Sequence, residues 1–232
     1  MKILVIDDEK PTLSMFRLFL AAYGYEVHTA DSGEAGLEVA AQIKPEIVFT
    51  DIRMPGIDGL EVLDQIRKTH TRCQVIIITG HGDMERAVEA MDMGASDFIN
   101  KPVERQALNA ALIRAENRLI LPGTPPFSIE RITAEDACFM LTGHLDRESG
   151  IPIVAALTGL GKGAEVQLRF SPDISMDRGG ISVLTDTLKR LSDKGHQIRI
   201  SGLSYNILKF FEMAGIHKMA DLEACDPEEP RA

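Results

Sequence analysis

The chain has 232 residues, 44% of them hydrophobic, which suits one large or two ordinary domains with packed cores and argues against broad disorder. Its formal net charge is −10, with 19 acidic and 13 basic residues up to residue 120 and 16 and 12 after it. Both halves should repel the phosphate backbone of nucleic acids, so we expect no nucleic-acid partner. The three cysteines are widely spaced and fit neither a disulfide framework nor a zinc site, which favours a reducing compartment.

The N-terminus begins with MKILVI, which predicts a β-strand that runs directly into Asp7 and Asp8. It lacks the charged-then-apolar pattern of a signal peptide. No apolar run approaches the roughly 20 residues that a membrane helix needs. We therefore expect a soluble, cytoplasmic protein with no membrane partner.

Short apolar runs alternate with stretches of helical period over the first 120 residues. The pattern predicts strands at 3–6, 25–29, 47–50, 75–78 and 98–99, and helices at 13–22, 35–43, 60–66, 87–91 and 108–119. Five strands, each followed by a helix, imply an α/β fold with a doubly wound parallel sheet and helices on both faces. Three of the strands are continuous apolar runs, as expected where both faces of a strand are buried.

A proline-rich segment separates this pattern from a second, smaller α/β pattern. Residues 121–127, LPGTPPF, cannot continue a helix because proline lacks an N–H donor and clashes with the preceding turn, so we predict a linker. The second pattern predicts strands at 137–141, 166–170 and 197–200, and helices at 153–160, 181–191 and 206–214. The predicted organisation is a first domain at 1–120, a linker at 121–127, a second domain at 128–224 and a frayed tail at 225–232.

Chemically active side chains follow the buried strands of the first domain. Asp7 and Asp8 follow the first strand, Asp51 the third, Thr79 the fourth and Lys101 the fifth. The carboxyl ends of parallel strands meet at one edge of the sheet, where ligands usually bind. Three carboxylates crowded there would repel one another unless a cation lay between them, and hard oxygen ligands suit Mg²⁺.

Such a cluster suits phosphoryl transfer. A cation held by Asp8 and Asp51, with Asp7 orienting its water, would leave one Asp51 oxygen free to attack phosphorus. Phosphoryl transfer mainly needs in-line positioning and neutralisation of charge on the phosphoryl oxygens, which Mg²⁺ and Lys101 supply, while the Thr79 hydroxyl supplies a hydrogen bond. The sequence therefore predicts a magnesium-dependent site with Asp51 as the phosphoryl acceptor.

Four motifs in chain order resemble a bacterial response-regulator receiver domain, which has a flavodoxin-like fold: VIDDE at 5–9, TDIRMPGIDG at 50–59, IITGHGD at 77–83 and GASDFINKP at 94–102. The resemblance covers residues 1–120. It implies that Asp51 is the phosphoacceptor, that Asp7 and Asp8 are the acidic pair, and that the Arg53 carbonyl is a third protein ligand to Mg²⁺.

The resemblance also implies a conformational switch. A sensor histidine kinase would supply the phosphoryl group, Thr79 and Phe98 would form the switch pair, and the Lys101–Pro102 bond would be cis. Phosphorylation adds about 1.5 to 2 negative charges at Asp51. The Thr79 hydroxyl would then turn towards the phosphoryl oxygens, and the Phe98 ring would fill the vacated space. The signal would emerge around the fourth and fifth helices, through which receivers of this family commonly form homodimers.

The second domain shows no catalytic cluster in its sequence. Residues 159–163, GLGKG, only superficially resemble a phosphate-binding loop, because Ala156 replaces the leading glycine and Gly163 the serine or threonine, so we predict a helix-ending turn. The helices lack a basic face for reading DNA. Four further residues lack metal-ligand spacing: His144, Asp146, Asp177 and His196. We therefore predict a signalling protein and no enzyme beyond phosphoryl acceptance at Asp51.

The second domain resembles a STAS domain, the fold of bacterial anti-sigma-factor antagonists, over residues 128–222. The residues that carry this resemblance are LTGHLD at 141–146 and the run from 166 to 218. The family usually has an Asp-Ser-Ser-Gly-Leu stretch whose second serine is phosphorylated by a partner kinase. This chain has Asp177, Arg178, Gly179, Gly180 and Ile181 instead, so the acceptor hydroxyl is absent at Gly179. Ser175 and Ser182 flank the stretch, and the alignment favours neither.

Two interpretations of this stretch remain open: residues 177–181 bind a partner at the exposed start of a helix, or the two glycines simply permit a tight entry from strand to helix. Our leading hypothesis is a two-component response regulator whose STAS-like output acts by partner switching on an anti-sigma factor or a related serine-kinase-type regulator. Control would then have moved to Asp51. The alternatives are a catalytic output, such as a phosphatase or nucleotide hydrolase, and a scaffold in a larger signalling assembly.

Overall fold

The computed structural model describes residues 1–80, 83–120, 125–133, 136–161, 163–171 and 174–224. His81 and Gly82 of the third receiver motif, residues 121–124 of the predicted linker, Lys162 and the predicted tail at 225–232 lie outside these ranges. The chain divides into two compact units, residues 1–122 and 123–232. No helix in the described ranges is both long and apolar enough to span a membrane.

The first unit alternates strands and helices from end to end. The strands are β1 (Lys2–Ile6), β2 (Glu26–Ala30), β3 (Ile47–Asp51), β4 (Gln74–Thr79) and β5 (Asp97–Asn100), and the helices are α1 (Lys10–Ala22), α2 (Gly33–Ile43), α3 (Gly59–Thr69), α4 (Met84–Asp92) and α5 (Arg105–Ile120). The sheet order is β2-β1-β3-β4-β5, and every pair is parallel. The predicted five-stranded, flavodoxin-like parallel sheet is confirmed.

Right-handed crossovers place helices on both faces of this sheet. The chain moves one way from β1 to β2 and the other way from β2 through β3 and β4 to β5, so α1 lies on the face opposite α2, α3 and α4. The fifth helix returns to the side of α1, where the Arg105 Nε donates to the Tyr23 hydroxyl at 3.2 Å. All four side chains from Ile3 to Ile6 are 0% exposed, as the continuous apolar run predicts.

Local signals near the site fix where α3 begins. The Asp58 carboxylate caps the helix by accepting hydrogen bonds from the amides of Leu60 and Glu61, both at 3.0 Å. A side chain at Gly59 would overlap the Asp51 carbonyl, so glycine is required for the close approach of the helix to the end of β3. The loop between Asp51 and α3 is therefore held at both ends.

The second unit is also an α/β structure. Its strands are β6 (Ser128–Arg131), β7 (Ala137–Thr142), β8 (His144–Leu145), β9 (Glu165–Phe170), β10 (Ser175–Met176), β11 (Gln197–Leu203) and β12 (Asp221–Ala224); its helices are α6 (Gly150–Ala156), α7 (Arg178–Asp193) and α8 (Tyr205–Met213), with a 3-10 turn at Ile216–Lys218. The main sheet has the order β12-β11-β9-β7-β6, with only β6 antiparallel to its neighbour, and β8 pairs with β10 separately.

The first predicted helix of the second unit differs most from the structure. The helix predicted at 153–160 begins at Gly150 and ends at Ala156, because Asp146 and Ser149 exchange hydrogen bonds just before it and Gly159 lies at φ +88° just after it. The described residues 159–161 and 163 are turn or irregular structure before β9, in agreement with the predicted turn. Pro126, in the predicted linker, forms a β-bridge with His144.

Candidate functional site

The carboxyl edge of the first sheet gathers the predicted site residues. Asp7 follows β1 directly, and Asp51 is the last residue of β3. One carboxylate oxygen from each of Asp7, Asp8 and Asp51 lies within 4.8 Å of the other two. Asp7 is fully buried and Asp51 is 6% exposed, whereas Asp8 is exposed. We call these three residues the acidic site.

Lys101 provides the positive charge at this edge. Its Nζ lies 2.8 Å from Asp51 Oδ2, 3.0 Å from Glu9 Oε2 and 3.1 Å from Asp7 Oδ2. Burial acts to lower the pKa of Lys101, but hydrogen bonds to Asp51 and Glu9 outweigh it and the pKa is raised. The ammonium group is therefore charged at neutral pH.

Glu9 is a member of this charge network that the sequence reasoning did not single out. Its hydrogen bond with Lys101 lowers the pKa of the Glu9 carboxyl. The available signal was its position immediately after Asp7 and Asp8 in the VIDDE motif. Two fully or largely buried carboxylates and one exposed one thus share a single ammonium group.

The acidic site fits a divalent cation on electrostatic grounds. Asp7 Oδ1 accepts a hydrogen bond from the Glu9 amide at 2.8 Å, whereas the buried Oδ2 contacts the Lys101 ammonium group at 3.1 Å and shares it with Glu9 and Asp51. Burial raises the pKa of Asp7, and the neighbouring Asp51 charge raises it further. One ammonium group cannot balance all these carboxylates, and a small cation bound by hard oxygen ligands would supply the missing positive charge, so the residues suit Mg²⁺. Arg53, whose carbonyl is the predicted third ligand, lies two residues beyond Asp51 in the loop before α3.

The predicted switch residues lie on neighbouring strands. Thr79 ends β4 and is 1% exposed, and its hydroxyl donates to the Gly80 carbonyl at 3.4 Å. Phe98, on β5, is already 5% exposed in this structure. The movement of Thr79 and Phe98 after phosphorylation stays a prediction. The Lys101–Pro102 bond is cis, as the family resemblance implied.

Two ion pairs that the sequence did not predict connect the loop after Asp51 to the start of α4. The Arg53 Nε donates to Asp83 Oδ1 at 2.7 Å, and Asp83, the residue before α4, is 4% exposed. Asp58, which caps α3, pairs with Arg86 of α4. The partners lie about 30 positions apart in the chain, so only the fold brings them together.

In the second unit, the predicted partner-binding stretch forms the beginning of α7. Asp177 caps the helix by accepting from the Gly180 amide at 2.8 Å. Gly180 is buried, and a side chain there would overlap the Leu145 carbonyl, so this glycine serves close packing. Arg178 is exposed, whereas Gly179 and Ile181 are half-buried. The surface available to a partner therefore excludes Gly180.

A hydrogen-bonded group at the same helix end was also missed by the sequence reasoning. The pairing of β8 with β10 sets His144 opposite Ser175, and His144 Nδ1 lies 2.9 Å from Ser175 Oγ. His144 Nε2 lies 3.6 Å from Asp177 Oδ2. Ser175 is only 4% exposed, which shields its hydroxyl from a substrate or a kinase. The group positions the cap of α7 and offers no accessible nucleophile.

The remaining predicted polar residues of this unit have structural contacts. His196 Nδ1 lies 3.1 Å from the Ala164 carbonyl. The Asp146 carboxylate accepts from the Ser149 amide and hydroxyl, at 2.9 and 2.8 Å, and the hydroxyl hydrogen bond lowers the pKa of Asp146. Within the described ranges, the acidic site is the one group of carboxylates, histidines and cysteines close enough to hold a metal ion.

Known proteins resemble the first unit in sequence and structure. Residues 3–113 match the response regulator receiver domain family. Regulatory protein AtoC of Escherichia coli K12 is 40% identical over 114 residues, which cover 49% of this chain and 25% of AtoC. DNA-binding transcriptional regulator NtrC of the same strain is 32% identical over 167 residues, which cover 68% of this chain and 36% of NtrC. The crystal structure of a response regulator receiver domain protein from Clostridium thermocellum is 41% identical, with a TM-score of 0.50, over 52% of this chain and 97% of that chain.

The matches to AtoC and NtrC cover only part of those proteins. The chain spans about a quarter of AtoC and about a third of NtrC, so the activities of those whole proteins do not transfer with the match. The Clostridium thermocellum receiver, by contrast, is covered almost completely by the first unit. Residues 3–113 of this chain therefore belong to the response regulator receiver domain family.

Proposed function

We propose that this protein is a two-component response regulator that accepts a phosphoryl group on Asp51 from a sensor histidine kinase and thereby controls a protein-binding output. The observation that carries the proposal is that the Asp51 carboxylate lies 2.8 Å from the Lys101 ammonium group and within 4.8 Å of the two other carboxylates of the acidic site. Few functions other than phosphoryl acceptance need one carboxylate that lies beside both a lysine ammonium group and a site for a divalent cation.

The residues of the site divide the chemistry among them. An Asp51 oxygen attacks the phosphorus of a phosphohistidine, a P–O bond forms, and the P–N bond to the leaving imidazole breaks. Lys101 offsets negative charge on the phosphoryl oxygens, and the Thr79 hydroxyl can turn from Gly80 to donate to one of them. Mg²⁺, when bound by Asp7, Asp8, Asp51 and the Arg53 carbonyl, supplies further neutralisation of the phosphoryl oxygens.

The output is proposed to be a STAS-like domain that switches partners, acting on an anti-sigma factor or a related serine-kinase-type regulator. Support comes from the order of strands and helices in the second unit and from the entry into α7 at residues 177–181. Gly179 lacks the hydroxyl that the resemblance places there, and Ser175 is buried. Control by phosphorylation at Asp51 would replace control by phosphorylation of a serine. The partner surface would comprise Arg178, Gly179 and Ile181, at the exposed side of the helix start.

One comparison favours a second candidate output. The segment aligned with NtrC is longer than the first unit, so it extends into the second, and NtrC is named a DNA-binding transcriptional regulator. A transcriptional output is therefore the alternative. The second half has 16 acidic and 12 basic residues, and this excess of negative charge disfavours direct contact with the phosphates of DNA.

Labelling of the full-length chain tests the phosphoryl acceptor. Acetyl phosphate and Mg²⁺ should add one phosphoryl group, detected by intact mass, and both EDTA and Asp51→Asn should prevent it. Asp31→Asn is a matched control, because Asp31 is an exposed aspartate just beyond β2 and should leave labelling unchanged. Equal labelling of the wild type and Asp51→Asn would refute the assignment.

Partner binding tests the output. A serine-kinase-type anti-sigma factor, purified from the same source, is titrated against the chain with and without the phosphoryl mimic beryllofluoride. A change in affinity that disappears in Asp51→Asn supports partner switching. Unchanged affinity, or binding of double-stranded DNA that beryllofluoride strengthens, would favour the alternative output.

A further inference from the structure

An apolar groove lies on the second unit between α6 and the later half of α7. Its volume is about 640 Å³, within the range of protein ligand sites. Val154, Leu157, Leu160 and Leu191 supply apolar lining, and Arg190 and Lys194 supply charge. We call it the α6–α7 groove.

The charges along this groove have one sign. No carboxylate is among its lining residues within the described part of the chain, although the whole chain carries a net charge of −10. Arg190 and Lys194 are exposed, and neither forms an ion pair with another described residue. Cations beside apolar walls favour an occupant that combines carboxylates with apolar groups.

The apolar surface continues beyond the groove along α6. Ile151 is 79% exposed and Val154 is 51% exposed, and residues three apart lie on one face of a helix. A small molecule that filled the groove would leave Ile151 in water. A protein segment lying along α6 would cover both side chains, so continuity of the exposed face favours a protein occupant over a small ligand.

We propose that the α6–α7 groove binds an acidic, amphipathic segment of a partner protein. This surface is separate from the proposed surface at the start of α7, because Arg190 and Arg178 lie on that helix about 18 Å apart at 1.5 Å per residue. The proposal rests on the proposed function only in treating the second unit as a protein-binding output. It does not depend on phosphorylation of Asp51.

Two labelled peptides with the same leucine face test the proposal, one with glutamate and the other with lysine on its polar face. Fluorescence anisotropy with the full-length, unphosphorylated chain should show binding of the glutamate peptide at least about tenfold tighter than of the lysine peptide. The double variant Arg190→Glu, Lys194→Glu should reverse this preference. Lys189→Glu is the control for each of the two reversals, because it makes the charge change of one of them at the neighbouring exposed position outside the groove lining. Ile151→Ser should weaken binding of the glutamate peptide.

Each other outcome contradicts the proposal. Equal binding of the two peptides would indicate unspecific apolar adhesion, and a preference that survives the double charge reversal would place the peptide elsewhere. Displacement of the glutamate peptide by octanoate at equal affinity, with no effect of Ile151→Ser, would identify a small-anion site. Phosphorylation of Asp51 is measured separately, so failure here leaves the labelling result intact, and loss of labelling leaves the peptide preference intact.

Discussion

Replacement of Asp7 by asparagine should stabilise the first unit in the absence of magnesium. Asp7 is fully buried, and its Oδ2 has only a share of the Lys101 ammonium group, which also contacts Glu9 and Asp51. Burial foremost, with the Asp51 charge adding to it, raises its pKa, so the folded unit binds this proton more tightly than the unfolded chain does. The stability that the Asp7 carboxyl contributes is fully present below its ordinary pKa of 3.8. It is lost as the pH rises through the higher pKa that this carboxyl has in the folded unit. The variant has no such charge, so its free energy of unfolding should increase relative to that of the wild type as the pH rises to neutrality.

The geometry of the acidic site sets the size of the effect. Two unit charges 4.8 Å apart repel by about 3.5 kcal/mol at an effective dielectric constant near 20, and the attraction between Asp7 and Lys101 over 3.1 Å is about 5 kcal/mol on the same basis. These opposing contributions nearly cancel once the screened repulsion from exposed Asp8 is included. The desolvation of a buried carboxylate, several kcal/mol, remains. Asparagine also retains an oxygen to accept from the Glu9 amide, so we expect a net stabilisation of about 1–3 kcal/mol at pH 7.

Magnesium should stabilise the wild type more than the variant and so offset this difference. Saturation of the wild type at 100 times its dissociation constant adds about 2.7 kcal/mol, and the variant should lose most of that gain. Since the chain contains no tryptophan, hydrogen exchange of the amides in β1 and β3 is a suitable assay of the first unit, run in EDTA and in Mg²⁺. Asp31→Asn is again the control. Lower stability of Asp7→Asn in EDTA, or equal stabilisation of both proteins by Mg²⁺, would refute the reasoning.

Three further outcomes are expected. Gly180→Ala should destabilise the second unit by about 2–4 kcal/mol in urea unfolding, because its new methyl group overlaps a backbone carbonyl. Gly161→Ala is the control and should have little effect, because the space around Gly161 is open. Equal effects of the two changes would contradict the packing argument. Burial raises the pKa of Cys73 to about 12, so its thiol should resist a disulfide reagent at pH 8 until the chain is unfolded, as followed by peptide mass; rapid native labelling would contradict this. Asp97→Ala leaves buried Arg114 without its carboxylate partner at 3.4 Å and should cost about 3–5 kcal/mol in thermal unfolding; a loss below about 1 kcal/mol would show that this pair matters little.

The sequence predicted the first unit well because its signals are local. Buried parallel strands appear as continuous apolar runs, as at Ile3 to Ile6, and each run ends at a polar residue that the sheet order then places at one edge. Asp7, Asp51 and Lys101 could therefore be grouped without any knowledge of side-chain contacts. Topology alone carries this inference, since neighbouring parallel strands end on the same side.

Contacts that depend on loops and side-chain reach were beyond the sequence. Arg53 meets Asp83, and His144 meets Ser175, across about 30 intervening residues, and no periodic pattern connects such positions. The strands at Ser128–Arg131 and Asp221–Ala224 were missed because they lie at the edges of the sheet and are mostly exposed, so they lack an apolar alternation. Helix α4 begins three residues before its predicted start, since its first turn has little apolar character.

The acidic site shows why stability and signalling are opposed at this edge of the sheet. A neutral residue in place of buried Asp7 would relieve a desolvation penalty, yet the same buried and only partly neutralised carboxylate is what favours a divalent cation over water. Lys101 alone cannot satisfy the site, because one ammonium group is shared among Asp7, Glu9 and Asp51. The deficit of positive charge therefore makes the folded unit less stable on its own. It also provides the driving force for binding Mg²⁺ beside the carboxylate that accepts the phosphoryl group.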